Sequence, residues 1–293
     1  MARMLVTGGG RGLGRLTALR LAALGHEVWL TARDPAAGQR TVDEARAANP
    51  GAAVRALPLD LASFASINAC CDALLGEGAP MDVLFHVAGV MQQSPTRRLT
   101  GDGFEETLQV NALAPLLLTE RLEPLLRRAP AARAVFVSSR LHLPDSRGAP
   151  VDFDFGDPNL ARGYEHDRAY KNSKLAVLWV MGGFAARWAG TPMTAHAVCP
   201  GFVPLTGAES THGALRFMMR HVLPHLPFAT SPEAAAESFV FMATDPSVAA
   251  TPGHLWGEQH VIEASADARD ETKRARFLAW AREAVQLAPA ATA

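Results

Sequence analysis

The chain has 293 residues, 48% of them hydrophobic and 19% charged, with a formal net charge of −1 at pH 7. That length accommodates a large core in a single α/β domain, and the interspersed acids and bases offer neither a nucleic-acid surface nor a polybasic membrane anchor. Cys70, Cys71 and Cys199 lack C-x-x-C metal spacing, and adjacent Cys70 and Cys71 do not suit a mutual bridge; they read as buried apolar thiols in a reducing compartment.

Arg3 to Val6 reads as a strand that begins at once, unlike the charged and then apolar pattern of a secretory leader. No apolar run is long enough to span a bilayer, so a soluble, cytoplasmic protein is expected. Gly12 to Leu24 reads as a helix ended by Gly25, and Glu27 to Thr31 as the next strand. Asp34-Pro35 supplies an N-cap and a first-position proline for a helix that fades near Asn49-Pro50-Gly51. Val54 to Leu57 is a third strand and Ser63 to Leu75 a third helix. Val83 to Val87 is almost wholly apolar, as burial on both faces requires. Phe104 to Arg128 is mostly helical; a strand (Ala134 to Ser138), a long helix (Asp167 to Trp188) and a sixth strand (Thr194 to Val198) follow.

This alternation predicts a Rossmann-type fold, a doubly wound parallel sheet with helices on both faces. No composition break divides the chain, so residues 1–293 are expected to form one nucleotide-binding domain. A late helix, Asp270 to Ala288, lies in a C-terminal extension at about 267–288. His142 to Arg168 and the stretch 204–230 interrupt the rhythm. The second carries Phe217, Met218, Met219 and Phe228. It reads either as an apolar lid over a bulky ligand or as a helix packing on the domain or on a second subunit.

"TGGGRGLG", Thr7 to Gly14, lies between the first strand and the first helix. Gly8 permits a tight turn, Gly12 lets the backbone approach a pyrophosphate, and Gly14 lets the helix pack close, with the helix N-terminus favouring the anion. The second strand ends at Ala32, where an acid would hold the ribose 2′-hydroxyl of NAD, and Arg33 follows. Arg11 and Arg33 together suit the 2′-phosphate of NADP(H) over NAD(H). Asp34 is a helix cap or, alternatively, the ribose acid. His142, His166, His212, His221 and His225 form no ligand pattern, and "VDFDFGD", Val151 to Asp157, lacks calcium-loop spacing. That stretch reads as a solvated loop, and no metal is expected.

The spacing T-G-x-x-x-G-x-G resembles the short-chain dehydrogenase/reductase family. The resemblance covers roughly the whole chain through Asp60-Leu61 after the third strand, Ala88-Gly89 after the fourth, Asn111, Ser139, the Tyr170-x-x-x-Lys174 pair and Pro200-Gly201. It implies a catalytic tetrad of Asn111, Ser139, Tyr170 and Lys174. It also implies cofactor contacts from Gly8, Arg11, Gly12, Leu13, Gly14, Arg33, Asp60, Leu61, Ala88, Gly89, Tyr170, Lys174, Pro200, Gly201, Val203 and Thr206, the last displaced from the usual spacing. His86 and Val87 stand where the family carries two asparagines, which weakens the usual hydrogen bonds of that turn.

Reduction of a carbonyl builds negative charge on its oxygen, so a donor must deliver a proton there. Free tyrosine, with a pKa of about 10, is a poor acid-base group near neutrality, and a lysine one helical turn away is expected to lower it. The late helix, "AYKNSK" and "PGFVPLTG" resemble the retinol dehydrogenase and protochlorophyllide reductase branch. Leu175-Ala176-Val177 lacks the cysteine of the light-dependent reductases, so no photochemistry is expected. The resemblance implies an NADPH-dependent carbonyl reductase or alcohol dehydrogenase for a bulky apolar ketone, aldehyde or alcohol. A non-redox reaction on the same fold or a cofactor-binding sensor is the alternative. Homodimers or homotetramers through the helices near 104–128 and 167–188 are a further implication.

Overall fold

The computed structural model describes residues 1–207, 211 and 213–286. Its centre is an eight-stranded sheet: β1 (Arg3–Val6), β2 (Glu27–Ala32), β3 (Val54–Pro58), β4 (Val83–His86), β5 (Ala132–Val137), β6 (Met193–Cys199), β7 (Leu255–Gly257) and β8 (His260–Ile262). The order is β3-β2-β1-β4-β5-β6-β7-β8, parallel except for the antiparallel β7–β8 pair. The first six strands match the sequence reading. β7 and β8 do not appear in it, because three-residue strands carry too little alternation to register.

The helices are α1 (Gly12–Ala23), α2 (Pro35–Ala48), α3 (Phe64–Glu77), α4 (Ala114–Leu126), α5 (His166–Arg187), α6 (Gly213–His221), α7 (Pro232–Thr244) and α8 (Glu271–Ala284). Their starts follow local chemistry. Asp34 caps α2 by accepting from the Ala36 amide at 3.0 Å, with Pro35 in the first turn. Ser63 caps α3 and Gly78, at φ +65°, ends it in the left-handed conformation. Helices α1, α2 and α7 pack together on one face of the sheet, and α3, α4, α5 and α8 on the other.

Strand alternation divides the core between these layers. Met4, Val6, Val28, Leu30, Val83 and Phe85 face the first layer, and Leu5, Trp29 and Leu84 the second. The solvated loop expected at 151–157 is corrected. Asp152 does face solvent and pairs with Arg168 at 2.8 Å. Phe153 and Phe155, however, turn inward onto Trp179 of α5 at ring separations of 5.1 and 5.5 Å. Phe277 of α8 closes the same aromatic cluster, and Arg282 of α8 reaches Glu120 of α4 at 2.7 Å. The face of α5 that presents Trp179 is therefore covered from within the chain.

Candidate active site

The sheet reverses its winding between β1 and β4, and in open α/β sheets ligands sit outside the carboxyl ends of the strands at such a point. Here the turn after β1 is tied to the turn after β4: the Ala88 amide donates to Thr7 Oγ at 3.1 Å, and the Thr7 amide to the Phe85 carbonyl at 2.9 Å. Gly8 has φ +72°, and a side chain on Gly14 would begin 2.4 Å from the Gly8 carbonyl oxygen. Both positions therefore require glycine. Helix α1 starts at Gly12 with no side-chain cap, so its first amides, Leu13 among them, are left to an outside acceptor.

Arg11 and Arg33 are both exposed and make no ion pair among the described residues. Asp34 is committed to capping α2 and lies 3.8 Å from Arg40. Asp60 accepts from the Ala62 amide at 3.0 Å through one oxygen, and Leu61 is buried. Gly89 is exposed at the crevice, where a side chain would meet Asn111 Oδ1 at 3.2 Å and Lys174 Nζ at 3.6 Å. Gly201, at φ +85°, lies so close to Thr230 that any side chain would collide with its hydroxyl, while Pro200 is half-buried and Val203 buried. The side chain of Thr206 lies outside the described residues. The uncapped helix start and the glycine turn fit the pyrophosphate of a nicotinamide dinucleotide.

The tetrad residues converge from three elements. Asn111 sits in a π-helical stretch, Gln109–Leu113, that joins Glu106–Leu108 to α4. Such bulges expose side chains at functional positions. Asn111 pairs with Val90 through both amide atoms at 2.8 Å, and it donates to Ser173 Oγ at 3.0 Å. Ser173 in turn donates to the Tyr170 carbonyl at 2.8 Å. Lys174 is buried; its ammonium donates to the Val137 carbonyl at 3.0 Å and lies 5.5 Å from the Tyr170 ring centre. Ser139 follows β5, and its side chain lies by the Tyr170 hydroxyl, where it acts to lower the phenol's pKa. Ser173 and the Val137 carbonyl are absent from the sequence reading. Of these only Ser173 carries a signal, as the residue before Lys174 in "AYKNSK".

The electrostatics correct one expectation. Tyr170 is half-buried by surface, yet desolvation dominates and pushes its pKa up to about 12, against a smaller lowering by the Ser139 hydrogen bond. Burial pulls Lys174 down to about 8. The lysine thus does not bring the tyrosine below its ordinary value: its ammonium is turned to a backbone carbonyl rather than to the phenol. Cys199, beside both groups, is held up at about 12 by burial, so the thiol is inert.

His86, where the resemblance led us to expect weakened hydrogen bonding, makes its own. Its Nε2 lies 2.8 Å from Thr119 Oγ, which already donates to the Pro115 carbonyl at 2.8 Å. His86 therefore carries its proton on Nε2 and donates it. The ring stacks on Phe136 at 4.7 Å, and burial pulls its pKa down to about 3. Among the described residues no group of His, Cys, Asp and Glu could hold a metal ion.

Residues 2–149, about half the chain, match the family model described as short chain dehydrogenase. A probable oxidoreductase of Streptomyces lividans is 40% identical over 87% of this chain and 84% of its own length. Human retinol dehydrogenase 14 is 33% identical over 92% of this chain and 82% of its own length. The crystal structure of NADPH-bound carbonyl reductase from chicken fatty liver shares the fold at a TM-score of 0.67, covering 90% of this chain and 99% of that one at 21% identity.

The depressed pKa of His86 sets a stability test. A neutral folded-state histidine with pKa near 3, against 6.5 unfolded, stabilises the fold fully above pH 6.5 and loses that contribution as pH falls toward 3. His86→Gln keeps a donor for Thr119 without titrating. Urea unfolding across that window is expected to give a visibly shallower pH slope for the variant, with the remaining slope owed to groups such as His196, also held near 3.

Proposed function

The chain belongs to the short-chain dehydrogenase/reductase family, and from that premise we propose that it is an NADPH-dependent reductase of a bulky apolar ketone or aldehyde, with Tyr170 as the proton donor. The observation that carries this reading is the convergence of Ser139, Tyr170 and Lys174 beside the glycine turn, with the Lys174 ammonium 5.5 Å from the Tyr170 ring. NADPH, when bound, supplies a hydride to the carbonyl carbon. Every other task falls to the chain.

A tyrosine held near pKa 12 keeps its proton at neutral pH, which suits the acid of a reduction better than the base of an oxidation. Ser139 Oγ hydrogen-bonds the substrate oxygen and directs it at the phenol. As the proton leaves Tyr170, negative charge grows on the phenolate, and the adjacent ammonium of Lys174 stabilises that charge most when it is needed. Asn111 and Ser173 act through backbone: they fix the start of α5 against Val90, so that Tyr170 and Lys174 keep their spacing.

Free Arg11 and Arg33 support NADPH, since paired guanidiniums match a 2′-phosphate and Asp34 is already spent as a cap. The likeness to a retinol dehydrogenase supports an apolar substrate. A single nucleotide-binding domain in a cytoplasmic setting completes the reading.

Three outcomes test it. Tyr170→Phe should lower turnover by about 10²–10⁴-fold with NADPH binding, read by fluorescence, unchanged; wild-type turnover in the variant would sink the proposal. Reduction rates should fall as pH rises through about 8, where Lys174 loses its charge, while cofactor affinity holds. Arg11→Ala with Arg33→Ala should raise KM for NADPH by roughly 10–100-fold and leave KM for NADH within about twofold; equal effects on both would exclude a 2′-phosphate role.

A further inference from the structure

The turn after Ser139 carries a charge that proton transfer to a carbonyl does not use. Arg140–His142 form one turn of 3₁₀ helix, fastened to the serine by three hydrogen bonds. The Leu141 amide donates to Ser139 Oγ at 3.3 Å, the His142 amide donates to the Ser139 carbonyl at 3.2 Å, and the His142 ring donates to the same carbonyl through Nδ1. His142 is buried, whereas Arg140 is exposed and Leu141 is 41% exposed. A buried anchor thus holds a cation and an apolar side chain at solvent, directly beside the serine.

Exposure without an ion pair does not single out Arg140, since Arg11 and Arg33 share both properties. Its place does. Burial raises the Cys199 thiol, and the charges of Lys174 and Arg140 act against that rise. Cys199 acts in turn on Tyr170 and on Lys174. The guanidinium therefore stands close to the groups that would receive a carbonyl. Among the described residues no carboxylate acts on Tyr170, Lys174 or Cys199. The nearest acid in the sequence, Asp145, is committed to its own loop, where it accepts from the Arg147 and Ala149 amides at 2.8 and 2.9 Å. Two cations thus lie around Ser139 with no acid set against either. Lys174 turns its ammonium to the Val137 carbonyl, and Arg140 makes no ion pair or side-chain hydrogen bond among the described residues.

We propose that Arg140 is a specificity-determining residue that takes a carboxylate on the substrate, so that the carbonyl compound is an apolar oxo acid rather than a neutral ketone or aldehyde. A guanidinium offers two parallel N–H donors that match a carboxylate. Leu141 beside it supplies apolar surface for the part of the molecule between acid and carbonyl. Arg140 does this only where Ser139 and Tyr170 hold the carbonyl, so the proposal rests on the reductase reading. A carbonyl oxygen held at Ser139 and an acid held at Arg140 fix the direction in which the substrate lies, which serves orientation as well as affinity. A guanidinium that served the reacting oxygen instead would act on acids and neutral esters alike.

Calorimetric titration of the Tyr170→Phe chain, loaded with NADPH, with ω-oxodecanoate and with its methyl ester tests this without turnover. The acid is expected to bind at least about tenfold more tightly than the ester, as a charge-assisted hydrogen bond supplies, and added salt should narrow the gap. Adding Arg140→Leu should bring acid and ester within about twofold of each other. Arg140→Lys, which keeps the charge but not the paired donors, should fall between. Equal binding of acid and ester, binding of neither, or a preference that Arg140→Leu leaves intact would overturn the proposal. Turnover by the parent chain, followed separately as NADPH oxidation, keeps the two readings apart. Reduction of the ester with no preference for the acid would sink the Arg140 role alone. A preference for the acid in binding, with no NADPH oxidation by the parent, would support that role and count against the reductase.

Discussion

The close approach of α1 to the turn after β1 is the constraint on which the rest of the site depends. With 2.4 Å between the Gly8 carbonyl oxygen and the place a side chain on Gly14 would occupy, the helix can start directly over the strand end. Its uncapped amides then open on the crevice where the sheet changes direction. The tie from Ala88 to Thr7 carries that geometry across to β4, and Gly89 beyond it reaches Asn111 and Lys174. The glycine turn and the Asn111–Lys174 pair are thus brought to one crevice by two turns and one hydrogen bond.

Lys174 illustrates how the scaffold sustains chemistry that would otherwise be unfavourable. A buried ammonium is costly without partners, and burial pulls this one down to about 8. The Val137 carbonyl meets part of the cost, and Ser138 Oγ, donating to the Lys174 carbonyl at 2.9 Å, pins the same turn of α5 to the end of β5. The lysine is consequently a fixed charge rather than a mobile one. Desolvation, rather than this charge, governs the neighbouring Tyr170 while its phenol is neutral. A preorganised charge of this kind stabilises the charged product of proton transfer more than the neutral starting state.

Much of this was legible in the sequence, for reasons that differ by element. β4 was readable because a strand buried on both faces must be almost wholly apolar. α2 and α3 were readable because Asp34-Pro35 and Ser63 have few other uses. The candidate site residues could be named as a set, since Gly8, Ser139, Tyr170 and Lys174 follow one another on the elements where the fold places them. The missing parts were those that backbone supplies. Neither the Val137 carbonyl nor the π-helical turn at Asn111 has a residue-level signature, and the inward turn of Phe153 and Phe155 depends on Trp179 and Phe277, far away in sequence. The sign of the Tyr170 shift was likewise unreadable, because spacing places a lysine one turn away but not the direction in which its ammonium points.

Whole-chain charge was misleading for a similar reason. A net of −1 averages the mainly basic stretch around α6 with acidic surface elsewhere, and Arg216 and Arg220 make no ion pair among the described residues. Composition likewise treats Phe217 and Phe228 as core material, while their solvent exposure makes them the opposite. Stabilising a protein by apolar burial and holding an apolar ligand or surface draw on the same residue types. What separates the two uses is whether the chain itself provides the covering partner. For Trp179 it does, through α8 and the loop before α5, whereas Phe217 and Phe228 stay exposed among the described residues.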